Sequence, residues 1–309
     1  MKEPDFAALV EPHRGALLAH CYRMLGTLAD AEDAVQDTLL RAWRSVDRFE
    51  GRSRPATWLH AIATNVCLRA LEKRPQLALV HGPPAELGEA PGEPLLESVW
   101  VGPFPDAGAA YERRESIELS FVAALQYLAP QQRAVLILRE VLGFSAAETA
   151  DALDTTVAAV NSALQRARRT IDERLPQRSE QTLDDDAIRA VVAEFADAWE
   201  RADVPAVVKL LADDVVMTMP PMPTWYSGRE TVAWFLADRP MSSPRWKAEI
   251  VSANGGPAVA IYLREEETFT AHSINVLAFD GGRITGIYAF IDAALFEPFG
   301  LPPTGGRSR

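Results

Sequence analysis

At 309 residues the chain exceeds one ordinary domain of about 100–200 residues, so two or three domains are expected. Hydrophobic residues make up 48% and charged residues 24%, which excludes wholesale disorder and fibrous folds. No run approaches the roughly 18 consecutive apolar residues of a membrane helix, and the start MKEPDFAALVEPHRG lacks the apolar core of a signal peptide. A soluble cytoplasmic protein with no membrane partner is expected. Two cysteines, Cys21 and Cys67, are too few for a disulfide framework or a metal cluster and read as buried, reduced thiols.

The net charge of -12 argues against nucleic acid only until it is divided along the chain. Residues 1–75 carry +1 and residues 113–178 carry +1, whereas residues 76–112 carry -6 and residues 179–309 carry -8. Local basic faces in the two near-neutral segments can therefore still meet phosphates.

Residues 1–75 read as helical. Apolar residues recur at helical spacing in Ala16-Leu17-Leu18, Cys21-Tyr22 and Met24-Leu25. Asp30 is the expected N-cap of a helix with Ala34, Val35, Thr38, Leu39, Ala42 and Trp43 on its apolar face and Glu32, Asp33, Gln36 and Asp37 on the other. Gly51 to Pro55 breaks the pattern, and Thr57 to Lys73 resumes helix until Pro75. Residues 76–112 form an acidic, proline-rich linker that nevertheless holds Leu95, Leu96, Val99, Trp100, Val101 and Phe104. Part of it is expected to lie on a domain surface.

Helix returns over 113–178. Ser145 with Glu148 three residues on is a capping-box start, and a tight turn at Asp154-Thr155-Thr156 precedes Val157 to Ile171. Two short helices so joined make a helix-turn-helix, whose second helix commonly enters the DNA major groove. Over 183–300 two helices (Ala187 to Arg201, Val204 to Ala212) lead to a strand at Val215 to Met219, a turn at Trp225-Tyr226 and a helix at Arg229 to Leu236. Strands follow at Trp246 to Ala253, Ala258 to Glu265, Thr270 to Phe279 and Arg283 to Ile291. That order makes a small α+β domain.

The run Asp30-Ala31-Glu32-Asp33-Ala34-Val35-Gln36-Asp37, with Leu40-Arg41-Ala42-Trp43, Thr57-Trp58-Leu59 and Ile62-Ala63-Thr64-Asn65, resembles region 2 of extracytoplasmic-function (ECF) sigma factors of the sigma-70 family. Leu128-Ala129-Pro130-Gln131-Gln132-Arg133, Gly143-Phe144-Ser145 and Val160-Asn161-Ser162-Ala163-Leu164-Gln165-Arg166-Ala167-Arg168 resemble region 4. The C-terminal part resembles the SnoaL-like, ketosteroid-isomerase-like cone carried by one subgroup of the family. Trp100 to Asp106 looks like the aromatic-proline signature of that subgroup's linker. Where many members have an Asp-Gly-Gly-Gly turn followed by a basic residue, this chain has Asn254-Gly255-Gly256-Pro257. The implied fold is two all-α domains followed by an α+β cone.

The resemblance implies a transcription initiation factor without a cofactor or chemistry of its own, whose partners are core RNA polymerase and promoter DNA. The acidic face Glu32, Asp33, Gln36 and Asp37, with Arg41, would meet the polymerase and set orientation and on-rate. Trp58, Asn65, Arg69, Lys73 and Arg74 would serve promoter melting, where an everted base needs stacking surface, donors and cations. On the second helix of the helix-turn-helix, Val157, Val160, Leu164 and Ala167 form the expected buried stripe. Thr156, Asn161, Ser162, Gln165, Arg166, Arg168 and Arg169 face out, arginines for phosphates and amides for base edges. Trp100 and Phe104 are the linker residues through which the added domain would regulate the factor. A pocket in that domain, with candidates Trp225, Tyr226, Arg229, His272, Tyr288 and Asp292, would take a small-molecule ligand. The rival reading makes that pocket catalytic, for proton transfer, hydration or epoxide opening.

Overall fold

The computed structural model describes residues 3–49, 51, 54–72, 74–95, 99–106, 118–174, 185–243 and 245–307. The chain divides into two units, one from Met1–Ala78 with Asp106–Pro176 and one from Leu79–Pro105 with Gln177–Arg309. Linker residues 79–105 thus belong with the C-terminal half.

The first unit is helical. It begins with α1 (Glu3–Val10), α2 (Arg14–Leu25), α3 (Leu28–Ser45) and α4 (Pro55–Leu71). Helix α2 is buried through its last two turns and stops at Gly26, whose φ of +84° suits glycine. A Cβ there would also meet Leu77 Cδ1 at 2.9 Å, a side-chain end that can move aside, so it is the conformation that requires glycine. Helix α3 is capped by Thr27, not by Asp30 as the sequence suggests: the Thr27 hydroxyl oxygen accepts the Asp30 N–H, and Asp30 sits in the first turn. Ala34, Val35, Thr38 and Ala42 are buried as expected, but Trp43 is 40% exposed, lying edge-on to Phe6. Helix α4 starts at Pro55, where a missing N–H costs nothing, and runs to Leu71; Lys73 lies outside the described residues.

Region 118–174 supplies α5 (Leu119–Gln126), α6 (Pro130–Leu136), which continues through a wider turn at Ile137–Val141, α7 (Ala146–Ala152) and α8 (Val157–Arg174). The capping box is present: Glu148 N–H donates to Ser145 Oγ at 3.1 Å and Ser145 N–H to the Glu148 carboxylate at 2.8 Å. Val160, Ala163, Leu164, Ala167 and Ile171 form the buried stripe of α8. Val157, at the first helical position, is 44% exposed. The stripe that periodicity places there starts one turn later.

The second unit is a curved sheet with helices packed against it. Helices α9 (Asp185–Glu200), α10 (Val204–Leu210) and α11 (Arg229–Asp238) accompany β1 (Leu211–Met219), β2 (Met222–Ser227), β3 (Trp246–Ala253), β4 (Gly256–Glu265), β5 (Thr268–Asp280), β6 (Arg283–Phe290) and β7 (Thr304–Arg307). The order is β2-β1-β6-β5-β4-β3, with β7 on β5; β1 and β6 run parallel and the other neighbours antiparallel. Trp225-Tyr226 carries no alternation and reads from sequence as a turn before Gly228. It belongs instead to strand β2, which pairs with β1 through Met217↔Tyr226. The core joins Phe195 and Trp199 of α9, Phe235 of α11 and inward residues such as Met217, Ile261 and Ile287.

In the helical unit one buried cation ties sequence-distant parts together. Arg133, 4% exposed, donates to Gln126 Oε1 at 2.6 Å, to the carbonyls of Gln126 and Leu128, and to the Met24 carbonyl. Gln126 Nε2 donates to Arg23 O at 3.4 Å. The orphaned carbonyls at the C-terminus of α2 are thus capped by a cation and an amide from the segment around α5 and α6, in the sense the helix dipole favours. Burial brings the Arg133 guanidinium down to about 10, which leaves it charged at neutral pH. Arg133→Ala strands these acceptors and is expected to cost about 2–3 kcal/mol. Hydrogen exchange should show reduced protection over residues 14–25 and 119–126, partly restored in Arg133→Lys; unchanged protection refutes the role.

Candidate functional site

Helix α3 presents its acid outward. Glu32, Asp33, Gln36 and Asp37 are all exposed, because the helix buries Ala31, Ala34, Val35 and Thr38 on the opposite side. Arg41 is half-buried and pairs with Asp37 at 3.4 Å, a solvent-facing contact of small energetic weight. The acidic patch spans residues 32–37, and beyond it Leu40, Trp43 and Arg44 are exposed on the same helix.

The second group lies on and beside α4. Trp58 is half-buried and stacks on Phe49 with ring centroids 4.7 Å apart. Asn65 and Arg69 are exposed on one side of α4. Asn65 Nδ2 donates to Ala61 O at 2.9 Å and, across 87 residues, to Ala152 O at 2.9 Å at the end of α7. Its amide is therefore occupied by the helix-turn-helix. Arg74 makes a two-pronged pair with Asp30. Partial burial alone would raise the Asp30 carboxyl, but Arg74 and the Thr27 hydroxyl outweigh it and hold the group below its ordinary value. Sequence reasoning puts Asp30 in a cap and Arg74 on DNA; the structure makes them partners.

Helix α8 carries the third group. Thr156, Ala158, Asn161, Ser162, Gln165, Arg166, Arg168 and Arg169 are all exposed along one side. Thr156 Oγ1 accepts the Ala159 N–H at 3.1 Å, so its hydroxyl closes the helix start. Arg168 pairs with Glu140 at 2.5 Å and Arg169 with Glu173 at 3.1 Å, both at the surface, where a phosphate can displace the carboxylate at little cost. Arg166 has no ion pair among the described residues. Exposed amides flanked by arginines on a groove-sized helix suit combined base and phosphate contact.

The linker lies on the cone. Trp100 is 7% exposed and stands edge-on to His81 at 5.2 Å; Phe104 is fully buried. Phe104 N–H donates to Asn254 Oδ1 at 3.0 Å and Asn254 N–H to Phe104 O at 2.8 Å, while Pro105 bridges to Ala253. The turn that lacks the subgroup's acid and base thus holds the linker with a neutral side chain, in a left-handed conformation (φ 56°) that asparagine tolerates. Farther upstream, Ala85 N–H bonds Trp225 O, Tyr226 Oη donates to Glu89 O, Gly92 N–H to Thr224 Oγ1 and Leu95 N–H to Pro221 O. Leu95 itself stays 42% exposed, and Leu96 lies outside the described residues.

A cavity of about 240 Å³ lies inside the cone. Of the six pocket candidates only His272 is in its wall. Trp225 Nε1 donates to Gly82 O, and Tyr226 is taken up by Glu89. Arg229 holds Leu211 O and pairs with Asp213 at 2.9 Å. The Tyr288 ring covers Gly286, and Asp292 caps the turn at Ala293–Phe296. The strand faces of Trp225, Tyr226 and Tyr288, and the positions of Arg229 at the start of α11 and of Asp292 after β6, take these five elsewhere. The wall instead uses Met217, Met219, Phe235, Ile261 and Asn275, with Pro91 from the linker. His272 is depressed by burial and by the nearby Arg245, so its imidazole is neutral at pH 7. No carboxylate stands among the described residues of the wall.

Two helical DNA-binding-type segments, followed in the chain by a curved-sheet cone, define a sigma-factor architecture with an added SnoaL-like domain. Sigma-70 region 2 matches residues 9–75, Sigma-70, region 4 matches residues 118–171, and the SnoaL-like domain matches residues 192–287. The chain is 42% identical to the ECF RNA polymerase sigma factor SigG of Mycobacterium tuberculosis, over 96% of this chain and 84% of that protein. The crystal structure of the extracytoplasmic function sigma factor SigJ of Mycobacterium tuberculosis superposes with a TM-score of 0.62 at 23% identity, covering 97% of this chain and all of that one, a likeness of fold. The chain belongs to the ECF family of RNA polymerase sigma factors and is a transcription initiation factor. Among the described residues no helix is long and apolar enough to cross a membrane.

The depressed Asp30 carboxyl stabilises the fold above the ordinary carboxylate range, near 4, and this contribution disappears as pH falls through the lowered value. Arg74→Ala should therefore cost under about 1 kcal/mol at pH 7, given the partial exposure of the pair, and progressively less as pH falls below the ordinary carboxylate value near 4. Thermal melts of both proteins from pH 7 down through the acid range check this; a difference that does not shrink as pH falls below about 4 rejects the pair as its source.

Proposed function

We propose that the chain binds core RNA polymerase through Glu32, Asp33, Gln36, Asp37 and Arg41, and directs it to promoters with two separate DNA-facing groups. Asn161, Ser162 and Gln165 of α8 read base edges while Thr156, Arg166, Arg168 and Arg169 hold the backbone. Trp58, Arg69 and Lys73 engage the melted strand, and Asn65 and Arg74 join them on giving up their contacts with Ala152 and Asp30. The working segments are 1–75, 76–112, 113–178 and 183–300. The observation that carries this reading is the division of α8, with every polar candidate exposed and its apolar stripe buried.

The cone acts as a regulatory domain on the linker, through Trp100 and Phe104, and its cavity takes a small molecule. The burial of both aromatics within the C-terminal unit supports this. A wall with one neutral histidine and no carboxylate suits binding better than acid–base catalysis.

Arg166→Ala with Arg168→Ala is expected to weaken promoter binding and to reduce the slope of log K against log salt by about one unit for each phosphate no longer neutralised. An unchanged slope rejects a phosphate-binding role for both arginines.

Run-off transcription with core polymerase on one promoter tests the rest. Asp33→Lys with Asp37→Lys should abolish output and polymerase co-purification while the protein stays folded. Trp100→Ala, or removal of residues 183–309, should change output without changing the start site. A buried aromatic contributes about 1.5–3 kcal/mol, enough to shift a two-state arrangement by one to two orders of magnitude. Wild-type yield from the charge reversal makes the acidic face mere solvent surface, and equal output from all linker variants removes the regulatory role.

A further inference from the structure

The cavity in the cone is apolar over most of its surface, yet some of its polar groups are left without partners. Asn275 is fully buried; its Oδ1 accepts the Ser273 hydroxyl at 3.0 Å, which leaves the Nδ2 hydrogens without an acceptor among the described residues. The indole N–H of Trp199, 4% exposed, is likewise without one, and Nδ1 of His272 has no hydrogen-bond partner among the described residues. Buried donors are ordinarily satisfied, and those that are not call for an explanation. The charged groups of the wall are Arg239 and Arg245. Arg239 is neutralised by Asp238 at 3.0 Å, whereas the Arg245 guanidinium leans over the Trp246 ring, 5.5 Å from its centroid. With no carboxylate among the described wall residues, the site favours negative charge.

We infer that the cavity is a binding site for a small amphiphilic carboxylate, its hydrocarbon on Met217, Met219 and Phe235 and its oxygens accepting from Asn275 and Trp199 near Arg245. The inference deepens the proposal that this cavity takes a regulatory small molecule, and rests on it. A cavity of about 150 Å³ holds benzene, so 240 Å³ suits an unbranched acid of about eight carbons. Pro91 contributes to the wall, and its neighbour Gly92 bonds to β2, so an occupant touches the linker segment that the cone holds.

Titration of the full chain with octanoate, octanol and octylammonium, followed by tryptophan fluorescence and calorimetry, tests this. Octanoate should bind at one saturable site, octanol at least about tenfold more weakly and octylammonium not measurably. Arg245 is exposed and its replacement spares the core. Arg245→Gln should weaken octanoate roughly fivefold or more and leave octanol unchanged, and Asn275→Leu should remove octanoate binding. Octanol binding as tightly as octanoate, octanoate affinity indifferent to Arg245→Gln, or no saturation below roughly 5 mM overturns the carboxylate site. If octanoate fails to bind while removal of residues 183–309 still alters run-off output, the ligand inference falls and the regulatory reading stands. Octanoate binding with output unaffected by that removal overturns the regulatory reading instead.

Discussion

Much of the helical unit turns on the buried guanidinium of Arg133. Arg133 sits where α2 ends, and the carbonyls that the last turn of α2 cannot satisfy are met by Arg133 and Gln126. A guanidinium can do this while buried because its planar fork reaches several carbonyls at once and each bond is charge-assisted. The contact joins segments 109 residues apart in the chain. It holds the region 2 helices against the region 4 helices, and within that docked arrangement Asn65 donates to Ala152 at the end of α7. A residue expected to meet melted DNA is thus spent on an internal contact, and freeing it needs the two regions to part. The acid of α3 and the amides and arginines of α8 carry no such restriction, since they face solvent as they stand.

The linker obeys a different constraint. A stretch rich in proline lacks the N–H groups for a ladder of its own, so its backbone groups find partners on the cone, from Ala85 on β2 to Phe104 on Asn254. Burial of Trp100 and Phe104 adds the apolar part. Net charge does not drive this, because linker and cone are both acidic; short-range hydrogen bonds and apolar contact prevail over a diffuse repulsion that salt screens. The same strap supplies Pro91 to the cavity wall, which puts the cavity and the linker in direct contact.

Periodicity and caps decided what is local. The acidic side of α3, the capping box at Ser145, the exposed row of α8 and strand β3 at Trp246–Ala253 are each fixed by neighbours within a few residues, and each is legible in the sequence. Local reading slips at ends: Thr27 displaces Asp30 as cap, and Val157 is exposed because the first turn of a helix has no preceding turn to cover it. Only the tertiary structure decided which side chains line the cavity, that Asp30 pairs with Arg74, and that Asn254 grips the linker. Each of these depends on groups tens to more than a hundred residues apart brought together by sheet register and helix docking, and no spacing within one segment encodes such a meeting.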